Sequence, residues 1–383
     1  MKTVEQVSLK GKRVLIRVDF NLPLNKSLVI TDDSRMIACL PTIKKVLSDG
    51  GMAIIMSHLG RPKDGFEKRF SLKNLVPHLS SLLGCPVSFS NDCIGKHVIG
   101  DVGKMKGGDV LVLENLRFYK EEVSGDEKFA KKLAELGDVY VNDAFGVTHR
   151  AHASTAIVPG FFPNKKYFGL LLAKEIFSLE KAINSTTRPF TAIIGGAKIT
   201  GKIDAITALF NKVDNLIIGG GMAYTFSKAL GGDVGNSLVE KEKVLLAKSL
   251  INKAKKKNVV LLLPTDSLNA KSLNDFSKTN TSSILSIKKN YMGLDIGKDS
   301  ITKFINIIRK SKTIIWNGPM GVFEIEKFEV GTKEIAKAIC LATQNGSFSL
   351  VGGGDSVAAL KKFNLEKGIS YLSTGGGAML EYL

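Results

Sequence analysis

The sequence predicts an α/β protein of two lobes, each a parallel sheet flanked by helices, the lobes joined by a single helix. Three observations carry this. Short β-branched apolar runs recur along the chain, and each ends in a polar or glycine-rich cluster. Stretches of helical periodicity separate those runs, which is the alternation of a parallel sheet. A chain of 383 residues also exceeds the size at which one core usually keeps growing, so two domains are expected.

In the first half, Val14 to Val18 is a short apolar strand closed by the turn Asp19-Phe20-Asn21-Leu22-Pro23. A second strand, Ala53 to Met56, delivers Ser57-His58-Leu59-Gly60-Arg61-Pro62 at its C-terminal end. Val110 to Leu113 leads into Glu114-Asn115-Leu116-Arg117, and Val139 to Val141 into Asn142-Asp143-Ala144-Phe145-Gly146. Asp33 to Leu47 and Lys128 to Leu136 read as intervening helices. Ligands of parallel sheets gather beyond the carboxyl ends of the strands, and there each strand carries its polar cluster.

Seven of the nine arginines (Arg13, Arg17, Arg35, Arg61, Arg69, Arg117 and Arg150) fall in the first 150 residues. The planar guanidinium fork suits carboxylate and phosphate, so this half is expected to hold a small acidic ligand. Singly, Asp19 and Asn21 are turn formers, His58 and His152 hydrogen-bonded structural histidines, and Arg117 a surface ion pair. Their coincidence at strand ends is the argument for a site.

Leu170 to Ile183 has apolar residues at helical spacing and no internal Gly or Pro, and the run Asn184 to Pro189 stops it. It is read as the joining helix, although periodicity alone fits a peripheral helix as well.

The stretch Ile193-Ile194-Gly195-Gly196-Ala197-Lys198-Ile199-Thr200-Gly201-Lys202-Ile203 reads as a strand, a glycine turn and a helix start. Backbone N–H groups at a helix N-terminus, with two lysines, make a seat for phosphate. Gly196, Gly201 and Lys202 satisfy most of the P-loop spacing, but Ile203 stands where a magnesium-binding hydroxyl is needed. Further on, strands Leu216 to Ile218, Val259 to Leu263, Thr313 to Trp316, Phe348 to Val351 and Ile369 to Leu372 all end in turns, most of them rich in glycine. Any one is a tight turn; five together point to a nucleotide and phosphate platform, because glycine lets a ligand approach the backbone. Asp355, beside a glycine turn at a helix start, is the candidate Mg²⁺ carboxylate.

The net charge of +18 invites a nucleic-acid reading, but the lysines are spread along the chain and no nucleic-acid motif is present. No apolar run is long enough to span a membrane, and the N-terminus lacks a signal-peptide core, so a cytoplasmic protein is expected. Cys39, Cys85, Cys93 and Cys340 show no metal spacing and read as reduced thiols. A dinucleotide-binding dehydrogenase would need G-x-G-x-x-G after the first strand, and Gly11 to Val18 has nothing of the kind.

Arg17-Val-Asp-Phe-Asn-Leu-Pro23, Ser57-His-Leu-Gly-Arg-Pro62, Leu113-Glu-Asn-Leu-Arg-Phe118, Asn142-Asp-Ala-Phe-Gly146 and His149-Arg-Ala-His-Ala-Ser154 closely resemble the phosphoglycerate kinase family. So do Gly195-Gly-Ala-Lys198, Trp316-Asn-Gly-Pro-Met-Gly-Val-Phe-Glu324, Gly352-Gly-Gly-Asp-Ser356 and Ser373-Thr-Gly-Gly-Gly377, in the family's order and over essentially the whole chain. The resemblance implies two Rossmann-like lobes: 1–168 for phosphoglycerate, a hinge helix 169–185, 186–365 for nucleotide, and a C-terminal segment 366–383 near the lobe interface. It implies a monomeric glycolytic enzyme that passes a phosphoryl group between 1,3-bisphosphoglycerate and ADP, giving 3-phosphoglycerate and MgATP, with Mg²⁺ as cofactor.

By the same resemblance, Asp19, Asn21, Arg35, His58, Arg61, Arg117 and Arg150 would hold the phosphoglycerate. Gly196, Ala197, Lys202, Gly220, Asn317, Pro319, Glu324, Asp355 and Ser356 would hold the nucleotide, with Asp355 on the metal. Arg35, Lys198, Gly375 and Gly376 would act on the phosphoryl in flight. Three departures stand out: Gly201 replaces a common aspartate, Asp295-Ile-Gly-Lys298 lacks the usual proline, and the chain ends at Leu383 without the family's short tail. The first two bear on local loop geometry, the third on support for lobe closure.

Overall fold

The computed structural model describes residues 2–383. The chain divides into two compact units, Met1–Phe177 and Ser178–Leu383. In the first, strands β1 (Arg13–Val18), β2 (Met52–Met56), β3 (Val87–Phe89), β4 (Val110–Val112), β5 (Val139–Asp143) and β6 (Lys166–Phe168) form a six-stranded sheet. Their order is β3-β4-β2-β1-β5-β6, and every pairing is parallel.

Helices α1 (Ser34–Ser48), α2 (Val76–Leu83), α3 (Lys96–Gly103), α4 (Lys120–Ser124) and α5 (Glu127–Ala134) alternate with these strands. Strand β1 shows why the sheet is covered on both faces. Val14, Ile16 and Val18 pack with Met36, Cys39 and Ile43 of α1, while Leu15 packs with Phe129 and Leu133 of α5. Alternation along the strand sends successive side chains to opposite faces. Arg17 shares Leu15's face and is fully buried there.

Helix α6 (Leu170–Ile183) forms where the periodicity places a helix, and the division between units falls inside it, between Phe177 and Ser178. Its first turn is satisfied from the first unit: Leu172 N–H donates to Asp143 Oδ1 at 3.0 Å and Leu170 N–H to Thr42 Oγ1 at 2.8 Å. Such caps supply partners for N–H groups that a helix start leaves unpaired.

The second unit comprises β7 (Phe190–Ile194), β8 (Asn215–Ile218), β9 (Asp233–Val234), β10 (Val260–Leu262), β11 (Asp266–Ala270) and β12 (Thr279–Ser283). It continues through β13 (Ser286–Ile287), β14 (Met292–Ile296), β15 (Thr313–Asn317), β16 (Phe348–Gly352) and β17 (Tyr371–Leu372). Six of these make a parallel sheet ordered β10-β8-β7-β15-β16-β17. Its helices are α7 (Ile203–Leu209), α8 (Met222–Ala229), α9 (Val244–Lys256), α10 (Lys298–Ile308), α11 (Val330–Gln344), α12 (Gly354–Lys362) and α13 (Gly376–Tyr382). Fully buried Trp316 of β15 anchors the core with Phe304 and Ile308 of α10 and Ile335 of α11.

Several expectations need correcting. Besides its expected parallel sheet, the second unit carries an antiparallel one, β12-β11-β14, with a register shift between Leu268 and Asn269. Its strands escaped notice because runs such as Thr279–Ser283 are polar and exposed in places, so no apolar alternation marks them. Asn142 and Asp143 belong to β5 rather than to the turn after it. The expected strand from Ile369 begins only at Tyr371, after a 3₁₀ turn over Glu366–Gly368. The four cysteines are free, and Cys39, Cys93 and Cys340 are buried.

Candidate active site

In the first unit, β1 and β2 end side by side, and their terminal residues form one hydrogen-bonded cluster. Arg35 Nη1 donates to the Asn21 carbonyl at 3.1 Å and lies 3.4 Å from Asp19 Oδ2. Asn21 Oδ1 accepts Gly60 N–H at 2.9 Å, and Gly60's carbonyl accepts Arg117 Nη1 at 2.8 Å. Gly60 thus couples Asp19, Asn21 and Arg35 to the arginines beyond. Its φ of +64°, and a Cβ position 2.2 Å from the Phe70 ring, explain why only glycine serves there.

Those further arginines line a cavity of about 530 Å³: Arg61, Arg117 and Arg150 face it together with Lys63, Lys120 and His152. Burial, reinforced by the charges of Arg17 and Arg150, pulls the Arg117 guanidinium down to about 10. An anionic ligand would offset both the lost hydration and the crowding of like charge. Asp19, Arg35 and His58 lie outside this cavity wall, in the cluster at the ends of β1 and β2.

Beneath the cavity lies a network the sequence reading did not assign. Arg17 donates to Ser154 Oγ at 2.8 Å, to the Val18 carbonyl, and to His58 Nδ1 at 3.1 Å. Glu122, also fully buried, stands 3.9 Å from Arg17 and accepts Ser154 Oγ–H at 2.6 Å and N–H at 3.0 Å. Removing one partner of such a buried pair costs about 3–5 kcal/mol, because it strands the other charge. A clue was available, since Arg17 interrupts an otherwise apolar strand. Because Arg17 can only donate, His58 Nδ1 accepts, so the proton of this neutral ring sits on Nε2, 3.8 Å from Asp19 Oδ1. Burial, then the surrounding arginines, hold His58 well below its ordinary pKa, in the neutral form.

In the second unit a pocket of about 310 Å³ opens at the ends of β7, β8 and β15. Gly196, Ala197, Gly220, Pro319, Glu324 and Asp355 all line it, and Tyr224, Leu238, Met292 and Leu294 add an apolar wall. Gly220 has φ +67°, and a Cβ there would lie 2.5 Å from Gly196 N, so two backbone turns approach directly. Lys202, the N-cap of α7, does not line the pocket. Its Nζ donates to the Gly195 carbonyl at 2.6 Å and to Asn317 Oδ1 at 3.1 Å, and burial pulls its pKa down to about 8 against the pull of Asp355. Lys198 is exposed on the same turn.

Ser356 is fully buried and accepts Gly318 N–H at 2.6 Å, so its hydroxyl braces the loop carrying Pro319 rather than facing the pocket. Gly375 N–H donates to Ser373 Oγ at 3.3 Å, and Gly376's carbonyl accepts Asn317 Nδ2 at 3.3 Å. Gly201 has φ +86°, within a turn closed by Lys202 N–H to Ile199 O at 2.9 Å. Glycine at 201 therefore answers a left-handed backbone, and an aspartate would be strained there.

Asp355 is an exposed carboxylate in the first turn of α12, facing the pocket. This suits Mg²⁺, which takes one or two protein carboxylates and draws its other ligands from phosphates and water. Among the described residues, no group of three or more His, Cys, Asp or Glu is placed to hold a metal without such help.

A family model described as phosphoglycerate kinase matches residues 4–383. A phosphoglycerate kinase of Porphyromonas gingivalis is 49% identical over 99% of this chain and 96% of its own length. One of Dictyoglomus turgidum is 52% identical over 98% of this chain and 93% of its own. The solved phosphoglycerate kinase from Coxiella burnetii superposes with a TM-score of 0.86 at 40% identity, covering 99% of this chain and 95% of that one. With an arginine-lined cavity in one unit, a glycine-walled pocket in the other and this likeness along its length, the chain belongs to the phosphoglycerate kinase family.

Proposed function

We propose that the chain catalyses Mg²⁺-dependent phosphoryl transfer between 1,3-bisphosphoglycerate and ADP, reversibly giving 3-phosphoglycerate and ATP. The observation that carries this reading is the pairing of two unlike anion sites. One is a cationic wall of Arg61, Arg117 and Arg150; the other is a glycine-backed pocket with Glu324 and Asp355 at its edge. The first suits a small polyanion, the second a nucleotide whose ribose bonds to Glu324 and whose phosphates meet Gly196 and Ala197, with Lys202 bracing the Gly195 carbonyl and Asn317 behind them.

Phosphoryl transfer goes through a loose transition state with charge on the equatorial oxygens, so catalysis is chiefly positioning and electrostatic stabilisation. Arg35 and Lys198 are assigned as the charge clamp, with Gly375 and Gly376 offering backbone N–H groups to the phosphoryl. No general base is needed in the direction of ATP formation, because the acyl phosphate and the ADP terminal phosphate are already anionic. Mg²⁺ held by Asp355 would neutralise phosphate charge and orient the chain of phosphates. Direct transfer requires both ligands to meet with water excluded, and closure about residues 169–185 is the expected motion.

The reading is of a monomer working in the cytoplasm. In support, among the described residues no helix is long and apolar enough to cross a membrane. The test is a coupled assay of ATP and 3-phosphoglycerate turnover with and without Mg²⁺. Metal-dependent activity is expected; a folded sample that shows none overturns the proposal.

A further inference from the structure

The segment between β9 and α9 carries no motif, yet it laces the nucleotide pocket together. Ser237 Oγ accepts Gly293 N–H at 2.9 Å, and Leu238 lines the pocket wall. Glu240, only 8% exposed, reaches the lysine turn. Its Oε2 accepts Ile199 N–H at 2.5 Å and Thr200 N–H at 3.4 Å, while Oε1 accepts the Thr200 hydroxyl at 2.5 Å. Its own N–H donates to Thr225 Oγ1 at 3.1 Å, in the helix that starts from the Gly220–Gly221 wall.

A carboxylate is costly to bury unless its oxygens are bonded, and here both oxygens serve the two residues directly after Lys198. Lys198 itself makes no side-chain hydrogen bond among the described residues, so its aim is set by its backbone. Burial works to raise the Glu240 carboxyl, but the Thr200 hydroxyl, the two N–H groups and the Lys198 charge outweigh it and hold it below its ordinary value. The bonded form is therefore the ionised one.

Resting on the phosphotransferase reading, we propose that Glu240 is a positioning residue for the reaction: it clamps the Ile199–Thr200 turn and so aims the Lys198 ammonium at the transferring phosphoryl group. A misplacement of about 1 Å costs on the order of 100-fold in rate. Glu240→Ala is accordingly expected to lower kcat by roughly 10- to 100-fold while KM for ATP and for 3-phosphoglycerate stays within about threefold. Glu240→Gln keeps an acceptor for Ile199 N–H and should recover part of the loss. Lys198→Ala combined with Glu240→Ala should be scarcely slower than Lys198→Ala alone, since a clamp has nothing left to aim.

The experiment is steady-state kinetics on the full chain, with ATP binding by calorimetry confirming that each variant is folded. Thr200→Val, which removes only the Oε1 bond, supplies an independent variant should Glu240→Ala fail to fold. An active parent with unchanged kcat in Glu240→Ala or in Thr200→Val, or losses that multiply in the double variant, overturns the clamp and leaves the phosphotransferase reading standing. A folded parent with no turnover overturns both.

Discussion

On the proposed function, the two units hold phosphorylated anions at the ends of parallel six-stranded sheets with opposite materials. The first uses side chains: Arg61, Arg117 and Arg150 project into the cavity, and Arg17 and Glu122 are buried beneath as their foundation. The second uses backbone: Gly220 approaches Gly196 so closely that a side chain at 220 would collide with it. Guanidinium groups bring full charge but need ordering, which the Gly60 carbonyl supplies for Arg117. Backbone amides bring only partial charge, but they are fixed by the sheet. A buried carboxyl group caps a helix in each unit: Asp143 Oδ1 accepts Leu172 N–H at the start of α6, and Asp295 Oδ2 accepts Gly331 N–H at 2.7 Å at the start of α11.

The comparison breaks most visibly at the clamp. Arg35→Ala and Lys198→Ala, one from each unit, should each lower turnover about 100- to 1000-fold, the usual loss on removing one transition-state charge stabiliser. Nucleotide binding by calorimetry should change little, and turnover retained in both would remove the clamp assignment. The next effect separates the materials. Gly220→Ala must shift backbone at a φ of +67°, at a cost of about 1–3 kcal/mol, and should weaken ATP roughly 10- to 100-fold while leaving 3-phosphoglycerate binding intact. Arg117→Ala should do the reverse, and equal loss of both ligands in either variant would deny that the sites are separate.

A smaller effect concerns pH. Burial raises the carboxyls of Asp143 and Asp295 to about 7. A folded-state carboxyl above its unfolded value near 3.8 contributes stability that is complete below that value and is lost as pH rises towards about 7. Thermal midpoints should therefore fall by on the order of a few degrees between pH 5 and pH 8. Asp143→Asn and Asp295→Asn should flatten the profile, and an unaltered slope in the pair would reject this account. The smallest effect is ionic: raising salt should weaken 3-phosphoglycerate more than ATP, because free guanidinium charge is screened and fixed amides less so. Equal salt slopes would show that charge serves both sites alike.

Much of the site was legible because strands of a parallel sheet end together, so the residues after each apolar run are neighbours however far apart in the chain. The strand-end rule picks out Asp19, His58, Arg117, Gly196, Gly220, Asn317 and Asp355; of these Arg117 lines the first cavity and Gly196, Gly220 and Asp355 the second pocket, whereas Asn317 bonds Lys202 Nζ and the Gly376 carbonyl. Ser356, expected by resemblance at the nucleotide, turns its hydroxyl to Gly318 N–H. Glu240 left no trace, because a glutamate before a lysine-rich helix looks like surface charge until Ile199 and Thr200 are seen against it.

The sequence by itself determined the α/β alternation, the two clusters of ligand-facing residues and their chemical character. These depend on local periodicity and residue type, which neighbours along the chain are enough to define. Tertiary structure alone decided which charges are buried, that Lys202 turns inward to Asn317 while Lys198 stays exposed, and that β11, β12 and β14 run antiparallel. Such outcomes depend on partners far off in the chain, and desolvation and hydrogen-bond satisfaction act only once folding has brought those partners together.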